Sequence, residues 1–424
     1  MQDQNQPGRI SVWTKIELDL FCFGMAKPLP RLYDALIAKH LAGYRQMAFI
    51  SGPRQVGKTT TARHLSGSYL DWDNPAHRKL IAAGPDAVAT HVGLHNLAEQ
   101  VPVIAIDEIH KFGRWKNWLK GFFDIYADRC RVIVTGSSRL DVYRRGGDSL
   151  MGRYFHYRMH PFSVGELVAP TIPDTLIRGP QALPEIQWKA LWEHGGFPEP
   201  FAQRSAAFSR RWRDSRQHQL LREDIRDLTL VREVAQIGLL AELLQDRSGD
   251  QIVMKSLADD LHVAPDTVKH WLDLLVALHV GVLIRPWFSN VTKSLRKEPK
   301  WFLRDWSGIE DPGKRAETFV ACHLLKAVEG WSDLGLGTFE LRYLRDKQQR
   351  EVDFVVIRDR KPWFLVEVKA GRDSLSPALK YYQDQIKAPH AFQVVLDREY
   401  VAADCFARHE PTVVPARTLL SQLL

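Results

Sequence analysis

Residues 52–59 of this 424-residue chain read Gly-Pro-Arg-Gln-Val-Gly-Lys-Thr. Two glycines with four residues between them are followed at once by an amine and a hydroxyl. Gly52 and Gly57 let the backbone curl so that successive N–H groups point inward at an anion. Lys58 neutralises the β- and γ-phosphates of a nucleotide, and Thr59 offers its hydroxyl to Mg²⁺. The apolar residues Ala48, Phe49 and Ile50 enter as a strand, and the residues from Thr60 to Leu65 leave as a helix whose positive end adds to the anion site. Gly52, Pro53, Arg54, Gln55, Val56, Gly57, Lys58, Thr59 and Thr60 are therefore the candidate ATP-binding segment.

A second strand, starting at Val103, ends in Asp107 and Glu108. Asp107 would hold Mg²⁺, through its water, and Glu108 would polarise the attacking water as general base. Apolar strands ending in acids are common, but the upstream phosphate loop gives this pair its meaning. A third strand, Val132 to Thr135, runs into Gly136, Ser137 and Ser138. Ser137 is a candidate contact to the γ-phosphate or the lytic water, although an ordinary strand-end turn has the same residues. Of the arginines that follow (Arg139, Arg144, Arg145, Arg153 and Arg158), Arg153 is the candidate finger reaching the γ-phosphate of a neighbouring subunit. A solvated basic face accounts equally well for the others.

These residues need elements that hold them. From residue 46, strand-length apolar runs (47–51, 69–71, 103–107, 132–135) alternate with helical patterns near 58–66, 75–83 and 115–127, which predicts a parallel sheet covered on both faces. Leu32 to Leu41 predicts a preceding helix. Residues 205–300 read as almost wholly helical. Within them, Ser256–Val263 and Thr267–Leu278, joined across Pro265 and Asp266, resemble a helix-turn-helix. Segments 282–284 and 300–303 are the candidate strands of a wing. Residues from 311 on predict a helix (314–328), strands near 339–345, 352–357 and 363–369, a helix near 376–387 and a strand near 392–396. The expected organisation is an N-terminal extension (1–24), an ATPase domain (25–204), a helical winged-helix domain (205–310) and a small C-terminal domain (311–424). Met25 precedes the first strong helical pattern and is an alternative start.

The composition, 45% hydrophobic and 25% charged, is that of a globular chain, and no uncharged apolar run is long enough for a bilayer. Cys22, Cys130, Cys322 and Cys405 include no C-x-x-C pair, which argues against a disulfide framework and for a reducing, cytoplasmic setting. The 58 Lys and Arg outnumber the 50 Asp and Glu by eight. Six of those cations (Arg285, Lys293, Arg296, Lys297, Lys300 and Arg304) fall between 285 and 304 with only Glu298 against them. A basic wing of this kind is the expected footprint of a phosphate backbone, so DNA is the expected partner, held without base readout through Lys269, Lys293, Arg296, Lys297 and Lys300. Trp287, Phe288, Trp301 and Phe302 between them serve better as wing core, and a protein-docking scaffold remains the alternative for the whole helix-turn-helix.

Residues 52–60, 69–75, 106–111, 135–138, 150–153, 160–166 and 195–200 together resemble a widespread prokaryotic family of AAA-type ATPases with a C-terminal domain of unassigned function. The resemblance spans roughly residues 30–400. It implies an α/β fold: an AAA-like P-loop NTPase core with a parallel sheet, a helical winged-helix middle and a nuclease-like C-terminal fold. ATP and Mg²⁺ are the cofactors expected from the phosphate loop and Asp107, and an arginine acting in trans requires a homo-oligomer, most plainly a hexameric ring. In the last region Asp353, Glu367 and Lys369 fit the spacing of a PD-(D/E)xK nuclease core, with Val352 where that motif has proline. That resemblance implies Mg²⁺ on Glu317, Asp353 and Glu367, Lys369 activating water and Gln383 facing the same site. A solvated strand face, or a fold kept without cleavage, is the alternative. The expected activity is Mg²⁺-dependent ATP hydrolysis that remodels or translocates on DNA; an ATP-dependent switch or defence protein is the alternative.

Overall fold

The computed structural model describes residues 29–136, 150–220, 231–288, 298–371 and 374–424. The segment 1–24, the Met25 start, Ser137, Arg139, Arg144, Arg145, Lys293, Arg296 and Lys297 lie outside them.

Helix α1 (Leu32–Gly43) precedes a sheet of β1 (Met47–Ser51), β2 (Ser68–Asp71), β3 (Val103–Asp107), β4 (Arg131–Thr135) and β5 (Tyr154–Arg158). The order is β2–β3–β4–β1–β5, with every pairing parallel. All of β1 and nearly all of β3 and β4 are buried, as continuous apolar strands sandwiched by helices must be. The covering helices include α2 (Lys58–Leu65), α3 (Pro75–Ala83), α4 (Pro85–His91) and α5 (Trp115–Tyr126). β5 has no counterpart among the predicted strands: its sequence, Tyr-Phe-His-Tyr-Arg, belongs to a sheet edge with only Tyr157 buried, so it lacks the apolar run that marks its neighbours.

The helices α6 (Val164–Val168), α7 (Glu185–His194), α8 (Pro198–Gln203), α9 (Ala206–Gln219), α10 (Val231–Gln245), α11 (Met254–Leu261) and α12 (Pro265–Ala277) follow. A two-stranded antiparallel ribbon then joins β6 (Gly281–Ile284) to β7 (Lys300–Leu303). The C-terminal region starts with the 22-residue helix α13 (Pro312–Asp333), roughly 33 Å long at 1.5 Å per residue. It packs on β8 (Phe339–Arg345), β9 (Glu351–Arg358), β10 (Lys361–Lys369), β11 (His390–Val395) and β12 (Thr412–Pro415), in the order β12–β11–β10–β9–β8. Helix α14 (Pro377–Ile386) lies between β10 and β11, and α15 (Ala416–Ser421) follows β12; these last two elements, β12 and α15, go beyond the predicted set.

Packing does not stop at the expected boundaries. One hydrophobic core runs from Leu32, Phe162 and Trp188 through Trp306 and Phe319 to Phe354 and Leu420. Trp301 and Phe302 are fully buried, Trp301 in a core with residues of α11 and α12 and Phe302 in the core shared with α13 and β9. Among the described residues, no helix is long and apolar enough to cross a membrane. Cys130, Cys322 and Cys405 are free thiols.

Candidate functional site

The loop between β1 and α2 is built on left-handed backbone at Gly52 (φ 146°), Gln55 (φ 62°) and Gly57 (φ 107°). A Cβ on Gly52 would stand 2.3 Å from the Met159 carbonyl oxygen, so only glycine fits where the loop passes the end of β5. Lys58, nearly buried, donates to the carbonyls of Gly52 (2.8 Å) and Pro53 (2.7 Å). Thr59 and Thr60 begin α2 on its exposed side, while Val56 is fully buried.

Because β4 lies between β1 and β3, the loop faces the end of β3 across the tip of β4. There Asp107 accepts three hydroxyl bonds: from Thr59 (2.8 Å) and Tyr69 (2.6 Å) on Oδ2, and from Thr135 (2.5 Å) on Oδ1. The Thr59 hydroxyl and the Asp107 carboxylate are hard oxygen donors side by side, which fits Mg²⁺. Glu108 sits in left-handed backbone (φ 55°), with its N–H donating to Thr135 O at 3.0 Å. Its carboxylate lies 3.2 Å from Lys111 Nζ and 3.6 Å from His110 Nε2, and Lys111 also binds Asp73 at 2.5 Å. Burial pushes the Glu108 pKa up, partly opposed by Lys111. Sequence reasoning missed Tyr69 and Thr135 as partners of Asp107; for Thr135 the position at the end of β4, level with Asp107, was the available signal.

Arg153 stands just before β5, one strand length from Ser51 and Gly52, and forms a two-point ion pair with Asp124 (2.7 and 3.1 Å). It does not approach the phosphate loop of its own chain.

Behind the loop lies a buried charge network that sequence reasoning missed entirely. Arg31 donates to the Val56 carbonyl inside the loop, to His160 O (2.6 Å) and to Glu166 Oε1 (2.8 Å). Glu166 is also bound by Lys326 of α13, whose Nζ reaches Pro161 O at 2.9 Å. Burial pushes the Glu166 carboxyl up, but Arg31 and then Lys326 pull it down to about 2. Further along α13, Glu329 Oε2 is 2.7 Å from His160 Nε2 and Asp333 is 2.5 Å from Arg158. Arg304 donates to His160 Nδ1 at 3.1 Å.

The other end of α13 carries Glu317, and there the second cluster forms. Glu317 lies within electrostatic reach of Asp353 and Glu351 of β9 and of Glu367 of β10, all like-charged acids that push its carboxyl up. Asp353 accepts the Val368 N–H at 2.8 Å, and Lys369 Nζ binds Glu367 Oε1 at 2.7 Å. Burial, then Asp353, raises Glu317 to about 8 and Glu367 to about 7. The sequence brought forward Glu317, Asp353, Glu367 and Lys369, and these do converge. Glu351 was legible too, since it lies two residues before Asp353 on the same strand face.

Two expectations are corrected. Lys300 is not a surface wing residue: it is 4% exposed, and its ammonium is paired with Glu351 and lies 3.8 Å from Asp353 Oδ1 and 4.0 Å from Glu317 Oε2. The register of β7 against β6 turns it inward onto the neighbouring sheet. Gln383 does not face the cluster; its amide donates to the carbonyls of Ala388 (3.2 Å) and His409 (2.6 Å), tying α14 to the loops at its end. Lys269 is exposed on α12. Among the described residues, no group of three His, Cys, Asp or Glu side chains is arranged to hold a metal ion.

The model of an AAA domain matches residues 44–168, and two domains of unknown function (DUF8612 and DUF4143) match residues 185–309 and 312–410. Uncharacterized proteins of Mycobacterium tuberculosis and Mycobacterium bovis are each 27% identical over 353 residues, 79% of this chain and 73% of theirs. Solved structures with loose likeness include the Aeropyrum pernix ORC1 protein in complex with DNA (TM-score 0.33, 14% identity, 71% of this chain and 95% of that one). C. elegans PCH-2 is another (TM-score 0.24, 15% identity, 57% and 66%). With its glycine-bounded loop, buried strand ending in Asp107 and Glu108, and matching model, the chain carries an AAA-type P-loop ATPase domain over residues 44–168.

Proposed function

We propose that this chain is a Mg²⁺-dependent ATPase that spends ATP hydrolysis on remodelling or moving along DNA, acting as a homo-oligomer, most simply a hexameric ring. The observation that carries the hydrolytic part is the Thr59–Asp107 bond at 2.8 Å, which sets both oxygens beside Lys58 and Glu108. Lys58 neutralises phosphate charge, Thr59 and Asp107 hold Mg²⁺, and Glu108 takes the proton of the attacking water. When bound there, Mg²⁺ would supply charge neutralisation to the nucleotide's phosphates. Ser137 contacts the γ-phosphate or water, and Arg153 acts on a neighbour's nucleotide. A winged helix formed by α11, α12 and the β6–β7 ribbon touches DNA through exposed Lys269 and the basic residues 293, 296 and 297. The C-terminal region is a nuclease-like, DNA-interacting domain.

A second reading, an ATP-dependent switch without motor activity, is favoured by one observation: α13 is held against the ATPase core by the buried pairs Glu166–Lys326, His160–Glu329 and Arg158–Asp333. A C-terminal domain seated in this way responds to the nucleotide state directly. ATP turnover measured alone and with single-stranded, duplex and branched DNA separates the readings. Stimulation by DNA that Lys58→Ala abolishes supports remodelling; turnover indifferent to every DNA leaves the switch. Native mass measured with ATP tests the ring.

A further inference from the structure

A nuclease-like carboxylate cluster is expected to hold a divalent cation, yet here an ammonium stands among the acids. Four carboxylates gather from three elements: Glu317 on α13, Glu351 and Asp353 on β9, and Glu367 on β10. Lys300 enters from a different sheet, paired with Glu351 and within 4.0 Å of both Asp353 and Glu317. Lys369 takes one oxygen of Glu367, and the other, Oε2, is buried without a hydrogen-bond partner among the described residues. A hard divalent cation needs its oxygens at roughly 2.0–2.6 Å around a common centre. The Lys300 ammonium stands between three of these acids, Glu317, Glu351 and Asp353.

The lysine is not held there by charge alone. Its ribbon is locked at both ends: Trp301 N–H donates to Asp250 O (3.0 Å), Gly249 N–H to Trp301 O (2.7 Å) and Leu303 N–H to Ser248 Oγ (3.1 Å). Ser248 in turn bonds Thr318 of α13 at 2.7 Å, one residue from Glu317. A Cβ on Gly281 would stand 2.3 Å from the Trp301 ring, so the β6 strand lies flat on that indole and leaves the ribbon no room to slide. The Tyr343 ring, 5.6 Å from the ammonium, closes the pocket from the side.

We propose that Lys300 is the resident cation of this cluster, and that it excludes divalent metal ions from the C-terminal domain while the β6–β7 ribbon is seated. The geometry supports this: Lys300 already stands against Glu351, Asp353 and Glu317 and Lys369 against Glu367, and a metal ion added beside the Lys300 ammonium would meet repulsion at contact distance. The middle region then governs the C-terminal site, because only movement of the ribbon withdraws the lysine.

The test is Mn²⁺ binding to the full-length protein without nucleotide, counted by calorimetry. Wild type and Asp353→Asn should bind the same number of ions. Lys300→Met, which keeps the aliphatic stem and loses the charge, should gain one site, and adding Asp353→Asn to it should remove that site. A wild-type site that Asp353→Asn abolishes overturns the proposal, as does a folded Lys300→Met protein that gains none. A second measurement needs no substitution: acetylation of Lys300 by acetic anhydride, read by mass spectrometry, should stay equally low with and without excess Mg²⁺. A rise with Mg²⁺ would show that a metal ion displaces the ammonium, which also overturns it.

Discussion

Arg31 Nε donates to Glu166 Oε1 at 2.8 Å while the same guanidinium donates to the Val56 carbonyl within the phosphate loop. The loop is thus tied through one side chain to a carboxylate that Lys326 of α13 also binds. Arg31→Ala leaves Glu166 with Lys326 and the Leu32 N–H, and frees the Val56 carbonyl. Breaking one member of a buried charged set costs about 3–5 kcal/mol. The expected result is a lowered thermal midpoint together with weaker ATP binding, measured by nucleotide titration at a temperature where the variant is folded. Arg31→Lys should recover part of the stability, since it restores charge, but not the loop contact, which needs the forked guanidinium. Unchanged ATP affinity in folded Arg31→Ala would show that the tether does not shape the loop.

Glu108 is the candidate base, and its place in the hydrogen-bond frame predicts a clean separation of binding from chemistry. Glu108→Gln keeps the shape and the contacts to Thr135, so ATP should bind as before while turnover falls by about 10²-fold or more. A base works only when deprotonated, and burial raises the Glu108 pKa. The acid limb of kcat against pH should therefore lie above the range of an ordinary glutamate, and Lys111→Met should move it higher still by removing a favourable charge. A limb at the ordinary position would assign the base elsewhere.

The phosphate loop, the β3 carboxylates and the parallel alternation were legible because each is local: a run of a few residues fixes both the backbone and the chemistry. The acids Asp353 and Glu367 were legible from strand alternation and spacing, and Glu317 through the resemblance to a nuclease core. Lys300 was misread for the opposite reason. Its neighbours in sequence are basic, and local charge density suggested a solvated wing. Its acidic partners lie 17 to 53 residues away, on α13 and β9. Arg31, Glu166 and Lys326 carry no local signature either, since a buried ion pair resembles a surface one until the fold brings its members together. β5 escaped because an edge strand need not be apolar.

The buried histidines predict how stability responds to acid. The guanidinium of Arg304 can only donate, so His160 Nδ1 accepts and the ring proton sits on Nε2, facing Glu329. Burial lowers the His160 pKa to about 4, against the favourable pull of Glu329, and lowers that of His323 to about 3. A folded pKa below the unfolded one, near 6.5, means stability is full above that value and is lost as pH falls toward the folded pKa. These two histidines therefore pull the urea midpoint down between pH 7 and pH 5 in nucleotide-free protein, against the raised carboxyls of Glu317 and Glu367, which pull it up. His323→Phe, which fills the same space between Phe319 and Trp306, should weaken the downward pull. An equal slope in the variant would place the pH dependence on other groups.

Arg153 gives the last prediction, and it depends on assembly. Its guanidinium is paired with Asp124 on the face of α5, at the N-terminal end of β5, while the phosphate loop opens at the C-terminal end of the neighbouring parallel strand β1. A side chain so placed serves no nucleotide of its own chain, so any effect on hydrolysis must pass between subunits. Arg153→Ala should bind ATP normally and lose turnover by about 10³-fold, the scale of an arginine supplied in trans. Lys58→Ala should lose turnover through its own loop while keeping Arg153 intact. Mixing the two inactive variants is then decisive: in mixed assemblies a Lys58→Ala subunit presents its Arg153 to the intact loop of an Arg153→Ala neighbour, and part of the activity returns. Without that recovery Arg153 is a surface ion pair, because a residue acting within its own chain cannot be complemented by a second chain whose phosphate loop is dead.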